Sequence, residues 1–140
     1  MRTALLGRRA VNLKSAQDPN PPDAKRFLRS EHWFTSGDGT RLFYRAWRPQ
    51  TPTGQMLVLF HRGHEHSGRW EDVVDAIAPE GFTVFAWDAR GNGRSEGPRD
   101  DAEHFASYAR DAELFVRYLS EIERVELQRL LNEALGGSGA

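Results

Sequence analysis

Met56-Leu57-Val58-Leu59-Phe60 is apolar at every position, without the alternation expected of a strand that has one face in water. A short, uniform run of this kind is the pattern of a parallel strand covered on both faces, so the chain around it must supply helices. The flanks do so. Pro49 to Gly54 holds two prolines and a glycine and is predicted as a loop. From Arg69 onward, Trp70, Val73, Val74, Ile77 and Ala78 recur at helical spacing until Pro79 and Gly81 close the segment. Phe82 to Trp87 reads as a second buried strand, which makes residues 56–87 a βαβ unit.

Upstream, Glu31 to Ser36 and Arg41 to Arg48 flank the turn Gly37-Asp38-Gly39-Thr40 and carry Trp33, Phe34, Leu42, Tyr44 and Trp47, a β-hairpin pattern. Downstream, Asp88 to Asp101 is rich in Gly, Arg and Asp. Phe105, Tyr108, Ala109, Ala112, Phe115, Val116, Leu119 and Ile122 then mark an amphipathic helix. Leu127, Leu130, Leu131 and Leu135 continue helical spacing, but the apolar stripe shifts around Glu123 to Glu126, where a bend or a second helix is expected. The predicted organisation is a basic disordered tail over 1–30, a partial α/β domain over 31–122, and a helical extension with a flexible Gly-rich end over 123–140.

Charge separates the tail from the rest. Residues 1–30 hold seven Lys or Arg against two Asp, while the whole chain has a net charge of −1. With Asp18, Pro21 and Pro22 inside it, the tail reads as solvated chain, and no nucleic-acid partner is inferred from it. Ala4 to Leu6 is followed at once by Gly7, Arg8 and Arg9, too short for the apolar core of an export signal. The absence of cysteine excludes a disulfide framework and thiolate ligands. No apolar run approaches the roughly 20 residues a membrane helix needs. A cytoplasmic protein without a membrane span is expected.

Two motifs carry chemistry. His61-Arg62-Gly63-His64-Glu65-His66-Ser67-Gly68-Arg69-Trp70 follows the first buried strand, and Asp88-Ala89-Arg90-Gly91-Asn92-Gly93-Arg94-Ser95-Glu96-Gly97 follows the second. The first is similar to the H-G-x-G-E-H-S-x-R-Y of α/β-hydrolases, and the second to their D-x-x-G-H-G-x-S-x-G. In this order the two resemble monoacylglycerol lipases, lysophospholipases and serine aminopeptidase-like hydrolases. The first also resembles the hydrolase half of bacterial hydrolase–methyltransferase fusions. The implied fold is α/β, the N-terminal half of an α/β-hydrolase, truncated before the nucleophile elbow.

The resemblance implies a serine-type hydrolase of carboxylic esters, with an ester or lipid-like small molecule as substrate in complete relatives and no cofactor. Acyl transfer builds negative charge on a carbonyl oxygen, and backbone N–H groups aimed at that point stabilise it. By position, the first-loop donor is the amide of Gly63; its companion would follow the nucleophile. Arg62 and His64 stand where the family has glycine, and side chains there are expected to alter the loop. His61, Glu65, His66 and Arg69 are expected to orient the loop by hydrogen bonds and charge pairing, and Asp88 to scaffold the turn.

Gly93-Arg94-Ser95-Glu96-Gly97 matches G-x-S-x-G literally and would name Ser95 as nucleophile. An elbow, however, joins a strand directly to a helix, whereas Asp88 to Asn92 precede this match and Pro98 follows it. The family's elbow, acid and histidine belong after the Phe105 to Ile122 helix, where none is seen, so the chain alone is expected to be inactive. The family's strand order also leaves Met56 to Phe60 beside a missing strand. An open apolar edge predicts self-association, completion by a separate C-terminal fragment, or aggregation.

Two other classes remain. His61, His64 and His66, with Glu65, could gather a metal, although H-x-x-H-x-H matches no established ligand spacing and no metal site is assigned. The chain could instead be a non-catalytic interaction fragment, held by its open edge and Leu-rich final helix. Nothing suggests a Rossmann or P-loop nucleotide site, because Gly91-Asn92-Gly93 opens no helix at the required spacing.

Overall fold

Hydrogen-bonding alternation and burial on both faces place four strands in one mixed sheet. The computed structural model describes residues 26–63, 65–99 and 105–136. Strands β1 (Phe27–Thr35) and β2 (Arg41–Pro49) form an antiparallel hairpin; β3 (Met56–Leu59) and β4 (Thr83–Trp87) pair in parallel, and β4 lies antiparallel to β2. The order is β1-β2-β4-β3, which leaves β3 on an edge. The hairpin closes through Ser36 N–H to the Thr40 carbonyl at 2.8 Å, and Asp38 accepts the Thr40 amide at 3.0 Å.

Period-two alternation sorts the sheet's side chains onto two faces. Phe34, Leu42, Tyr44, Ala46, Phe85 and Trp87 face a long helix, α2 (Phe105–Gly136), and pack against its Phe115 and Leu119. Trp47, Val84 and Ala86 point the other way, to Phe27 and to the short helix α1 (Val74–Ile77) with Val74 and Ala78. All five residues of β4 are buried, whereas all four of β3 are only half-buried, as befits a strand with one neighbour.

Three sequence expectations are corrected. The first strand begins at Phe27, ahead of Glu31, because Phe27 is buried beside Trp47 and Arg26 donates to the Ala78 carbonyl at 2.6 Å. The helix expected from Arg69 is reduced to α1, preceded by a 3-10 turn over Ser67–Trp70. There Arg69, Glu71 and Val73 donate three residues back, to His66, Gly68 and Trp70. Finally, α2 runs unbroken through Glu123 to Glu126.

The third correction has a clear cause. Asp111, Phe115, Leu119 and Glu123 are the buried residues of α2, spaced four apart on one line. Glu123 occupies an apolar-stripe position but is fully used there: one carboxylate oxygen accepts from Arg48 at 3.0 Å and the other from Thr83 Oγ1 at 2.9 Å. The acidic interruption is therefore a buried anchor to β2 and β4 rather than a break.

Candidate active-site loops

Because β3 and β4 are parallel, the segments leaving their carboxyl ends emerge side by side, where open α/β sheets place their ligands. The His61–Trp70 loop and the Asp88–Gly97 turn are hydrogen-bonded to each other throughout. The Ala89 amide donates to His61 Nε2 at 3.0 Å, the Ser67 amide to Asp88 Oδ1 at 2.6 Å, and Asn92 Nδ2 to the Glu65 carbonyl at 3.2 Å. Asp88 also accepts the Arg94 amide at 2.8 Å on its other oxygen and is 1% exposed. Gly93 sits so close that a Cβ there would fall 2.2 Å from Asp88 Oδ2, at a φ of +50°.

His61 is buried, and its partners assign its tautomer. Nε2 accepts from Ala89, so the proton is on Nδ1, which donates to the Arg62 carbonyl at 2.6 Å. The same carbonyl accepts the Glu65 amide at 3.1 Å. Two donors thus fix the Arg62–Gly63 peptide plane, and in a trans peptide the Gly63 N–H points opposite to that carbonyl. The Gly63 amide meets no acceptor among the described residues, and a Cβ at Gly63 would meet nothing within 4 Å.

Charges border this loop. Arg62 pairs with Glu65 at 3.2 Å and Arg69 approaches the same oxygen at 3.9 Å. The hydrogen bond from Arg62 holds the Glu65 carboxyl below its ordinary pKa. Arg62, standing where the family has glycine, closes a turn with Glu65 in addition to pairing with it; His64 lies outside the described residues. His66 caps the 3-10 turn, its Nδ1 accepting the Gly68 amide at 3.0 Å. Arg45 reaches Ser67 Oγ at 2.8 Å and Glu71 at 2.9 Å.

A second ionic cluster ties the turn to the hairpin and to α2. Arg90 donates to both oxygens of buried Asp111 at 2.8 and 2.9 Å, and to Asp38 at 2.8 and 3.1 Å. These bonds hold the Asp38 carboxyl well below, and the Arg90 guanidinium well above, their ordinary values.

Ser95 is buried with its hydroxyl committed to backbone. Its Oγ accepts the Phe43 amide at 2.7 Å and donates to the Asp88 carbonyl. It stands within the turn after β4, not at a direct strand-to-helix junction. Among the described residues no three His, Asp or Glu side chains converge on a metal site: both ring nitrogens of His61 are engaged and His66 Nδ1 is a cap, while His64 lies outside the described residues. Ser67, Ala89 and Asn92, which hold the loops together, escape sequence reasoning because two of them act through backbone amides that any residue supplies. Asn92 alone left a signal, as a side chain between the two glycines of the turn.

The arrangement of hairpin, parallel pair and covering helices is that of the α/β-hydrolase fold. An α/β-hydrolase of Novosphingobium aromaticivorans superposes with a TM-score of 0.50 at 24% identity, over 66% of this chain and 32% of that one. A haloalkane dehalogenase of Bradyrhizobium elkani gives a TM-score of 0.52 at 25% identity, over 66% of this chain and 30% of that one. In sequence, the chain is 45% identical to the uncharacterized protein YnbC of Escherichia coli over 105 residues, 74% of this chain and 18% of YnbC. It is 32% identical to a monoacylglycerol lipase of Mycolicibacterium smegmatis over 109 residues, 78% of this chain and 39% of the lipase. The human monoglyceride lipase matches at 36% over 76 residues, 54% of this chain and 25% of that enzyme.

The family model described as Serine aminopeptidase, S33 matches residues 51–140, well over half of the chain. The chain belongs to that family, in its monoglyceride lipase-like branch, and covers only part of the hydrolase fold, spanning less than two fifths of the length of these relatives. Among the described residues, no helix is long and apolar enough to cross a membrane.

Proposed function

We propose that this chain supplies the oxyanion-loop half of a serine-type carboxylic-ester hydrolase acting on monoacylglycerol-like or lysophospholipid-like esters. The observation that carries the reading is the Arg62–Gly63 peptide, pinned by His61 and Glu65 so that the Gly63 N–H stands out from the end of β3. A preorganised donor of this kind stabilises the negative oxygen of a tetrahedral intermediate without reorganising during the reaction. His61 and Asp88 act as positioning residues, as do Glu65, His66 and Arg69 within the loop. Ser95 is a strut, and the serine nucleophile, acid and general base come from outside residues 1–140. The monoacylglycerol lipase of Mycolicibacterium smegmatis supports this ester class.

The test is a chimera in which this chain replaces the matching portion of that lipase. Ester hydrolysis should persist, and Gly63→Pro, which deletes the amide hydrogen, should lower kcat by about 100- to 1000-fold with little change in KM. The isolated chain should show no turnover. Robust hydrolysis by the isolated chain, abolished by Ser95→Ala, would overturn the assignment.

A further inference from the structure

We propose that Arg62 is a specificity-determining residue whose guanidinium takes the phosphate of a lysophospholipid head group while the Gly63 amide serves the ester carbonyl. The inference rests on the hydrolase reading and chooses between the two ester classes that reading leaves open. It starts from the charge of the first motif. In the family pattern H-G-x-G-E-H-S-x-R-Y the fixed positions carry one carboxylate and one guanidinium, here Glu65 and Arg69. Arg62, in place of the first glycine, brings a second guanidinium to the same carboxylate.

The surplus charge stands in water. Arg62 reaches Glu65 Oε2 through a single nitrogen at 3.2 Å, and its side chain is 87% exposed. Arg69 stands 3.9 Å from the same oxygen and is 65% exposed. One carboxylate oxygen thus meets two cations, and most N–H groups of the Arg62 fork have no acceptor among the described residues. The neighbouring carboxylates are already paired, Asp88 with the amides of Ser67 and Arg94, and Glu71 with Arg29 and Arg45. An exposed ion pair such as Arg62–Glu65 is weak, so a substrate anion can share or displace it at small cost.

Position ties this charge to the reaction. Arg62 is joined to Gly63 through the peptide whose plane His61 and Glu65 fix, so its guanidinium stays within one side chain's length of the oxyanion donor. In a lysophospholipid the phosphate hangs from the ester carbonyl by a glycerol unit, a span of the same order. A monoacylglycerol offers only hydroxyl groups there. The planar fork takes two phosphate oxygens at once, through charge-assisted bonds stronger than any to a hydroxyl. A contact of this kind is made before and during the reaction alike, so it lowers KM more than it raises kcat.

Titration of the intact chain with sn-glycerol 3-phosphate, followed by NMR signals of the arginine Nε and backbone amide groups, tests the site. Saturable shifts are expected at Arg62 Nε and the adjoining Gly63 amide, and none with glycerol. Arg62→Gln, a change on an exposed side chain, should raise the dissociation constant at least about tenfold. Inorganic phosphate should bind more weakly; binding as tight as that of the ester would make this a site for free phosphate and overturn the head-group assignment. In the chimera with the Mycolicibacterium smegmatis lipase, Arg62→Gln should lower the ratio of kcat/KM for an acylglycerol phosphate to that for the monoacylglycerol by about tenfold, through KM. A titration without saturable shifts at Arg62, or a ratio indifferent to Arg62→Gln, would overturn the proposal. A chimera that hydrolyses neither ester counts against the hydrolase reading instead, and the titration, which needs no turnover, still decides whether Arg62 binds the phosphate.

Discussion

Asp88 offers the sharpest quantitative test of how these loops are held. Its two carboxylate oxygens accept the Ser67 amide at 2.6 Å and the Arg94 amide at 2.8 Å, in a site where Asp88 is 1% and Ser67 0% exposed. Asp88→Ala leaves both donors without their acceptor. At about 1–3 kcal/mol for an unsatisfied buried group, the Ser67 amide sets an expected loss of about 1–3 kcal/mol, to which the amide of the exposed Arg94 adds less. Asp88→Asn keeps the volume and one acceptor but turns an amide NH2 toward the other N–H, so it should lose about half as much. Urea unfolding followed by circular dichroism and tryptophan fluorescence should rank wild type above Asp88→Asn above Asp88→Ala, while hydrogen exchange accelerates at Ser67 and Arg94. If Asp88→Ala unfolds within about 0.5 kcal/mol of wild type, the carboxylate is not what secures these amides.

Gly93→Ala should destabilise markedly, since its Cβ would meet Asp88 Oδ2 at 2.2 Å and the left-handed backbone at φ +50° costs about 1–2 kcal/mol for alanine alone; Gly63→Ala, with open space around its Cβ, should leave the denaturation midpoint unchanged. Asp38 is held by Arg90 below its ordinary value of 3.8. A carboxyl depressed in the folded state contributes stability that is present above its unfolded value and is lost as pH falls through its folded value. NMR titration should therefore find Asp38 charged below pH 3.8, and Arg90→Lys, which cannot make the two-pronged contact, should move its midpoint back up. Ser95→Ala should cost about 1–3 kcal/mol by stranding the Phe43 amide, while leaving ester hydrolysis in the chimera intact.

What the sequence revealed depended on whether a feature is periodic. The uniform apolar run at Met56–Phe60 and the hairpin signal at Gly37–Thr40 announce β3, the β1–β2 pair and the α/β class, because burial on one or two faces writes itself into residue order. Glu123 misled for the same reason: periodicity registers a carboxylate in the apolar stripe as a break. Only three dimensions bring Arg48 and Thr83 to its two oxygens. Phe27 extended the first strand because its burial depends on Trp47 and Ala78, distant in sequence. The 3-10 turn at Ser67–Trp70 displaced the start of a longer helix because Asp88 and His66 claim the amides of Ser67 and Gly68.

The two motifs are one structure read in two places. His61 follows β3 and takes its hydrogen bond from Ala89; Asp88 follows β4 and takes the amide of Ser67; Asn92 returns a bond to the Glu65 carbonyl. Substituting the side-chain partner, His61, Asp88 or Asn92, frees the backbone group it holds, so the spacing of one motif is a constraint on the other as long as β3 and β4 remain adjacent and parallel. The Gly63 amide depends on both: its peptide plane is set by His61, and His61 is set by Ala89 on the neighbouring turn. Asp88→Ala is thus expected to act at a distance, loosening the Gly63 donor through Ser67 without touching it. In the chimera this should appear as a fall in kcat rather than a rise in KM, because a misplaced oxyanion donor weakens transition-state binding more than substrate binding.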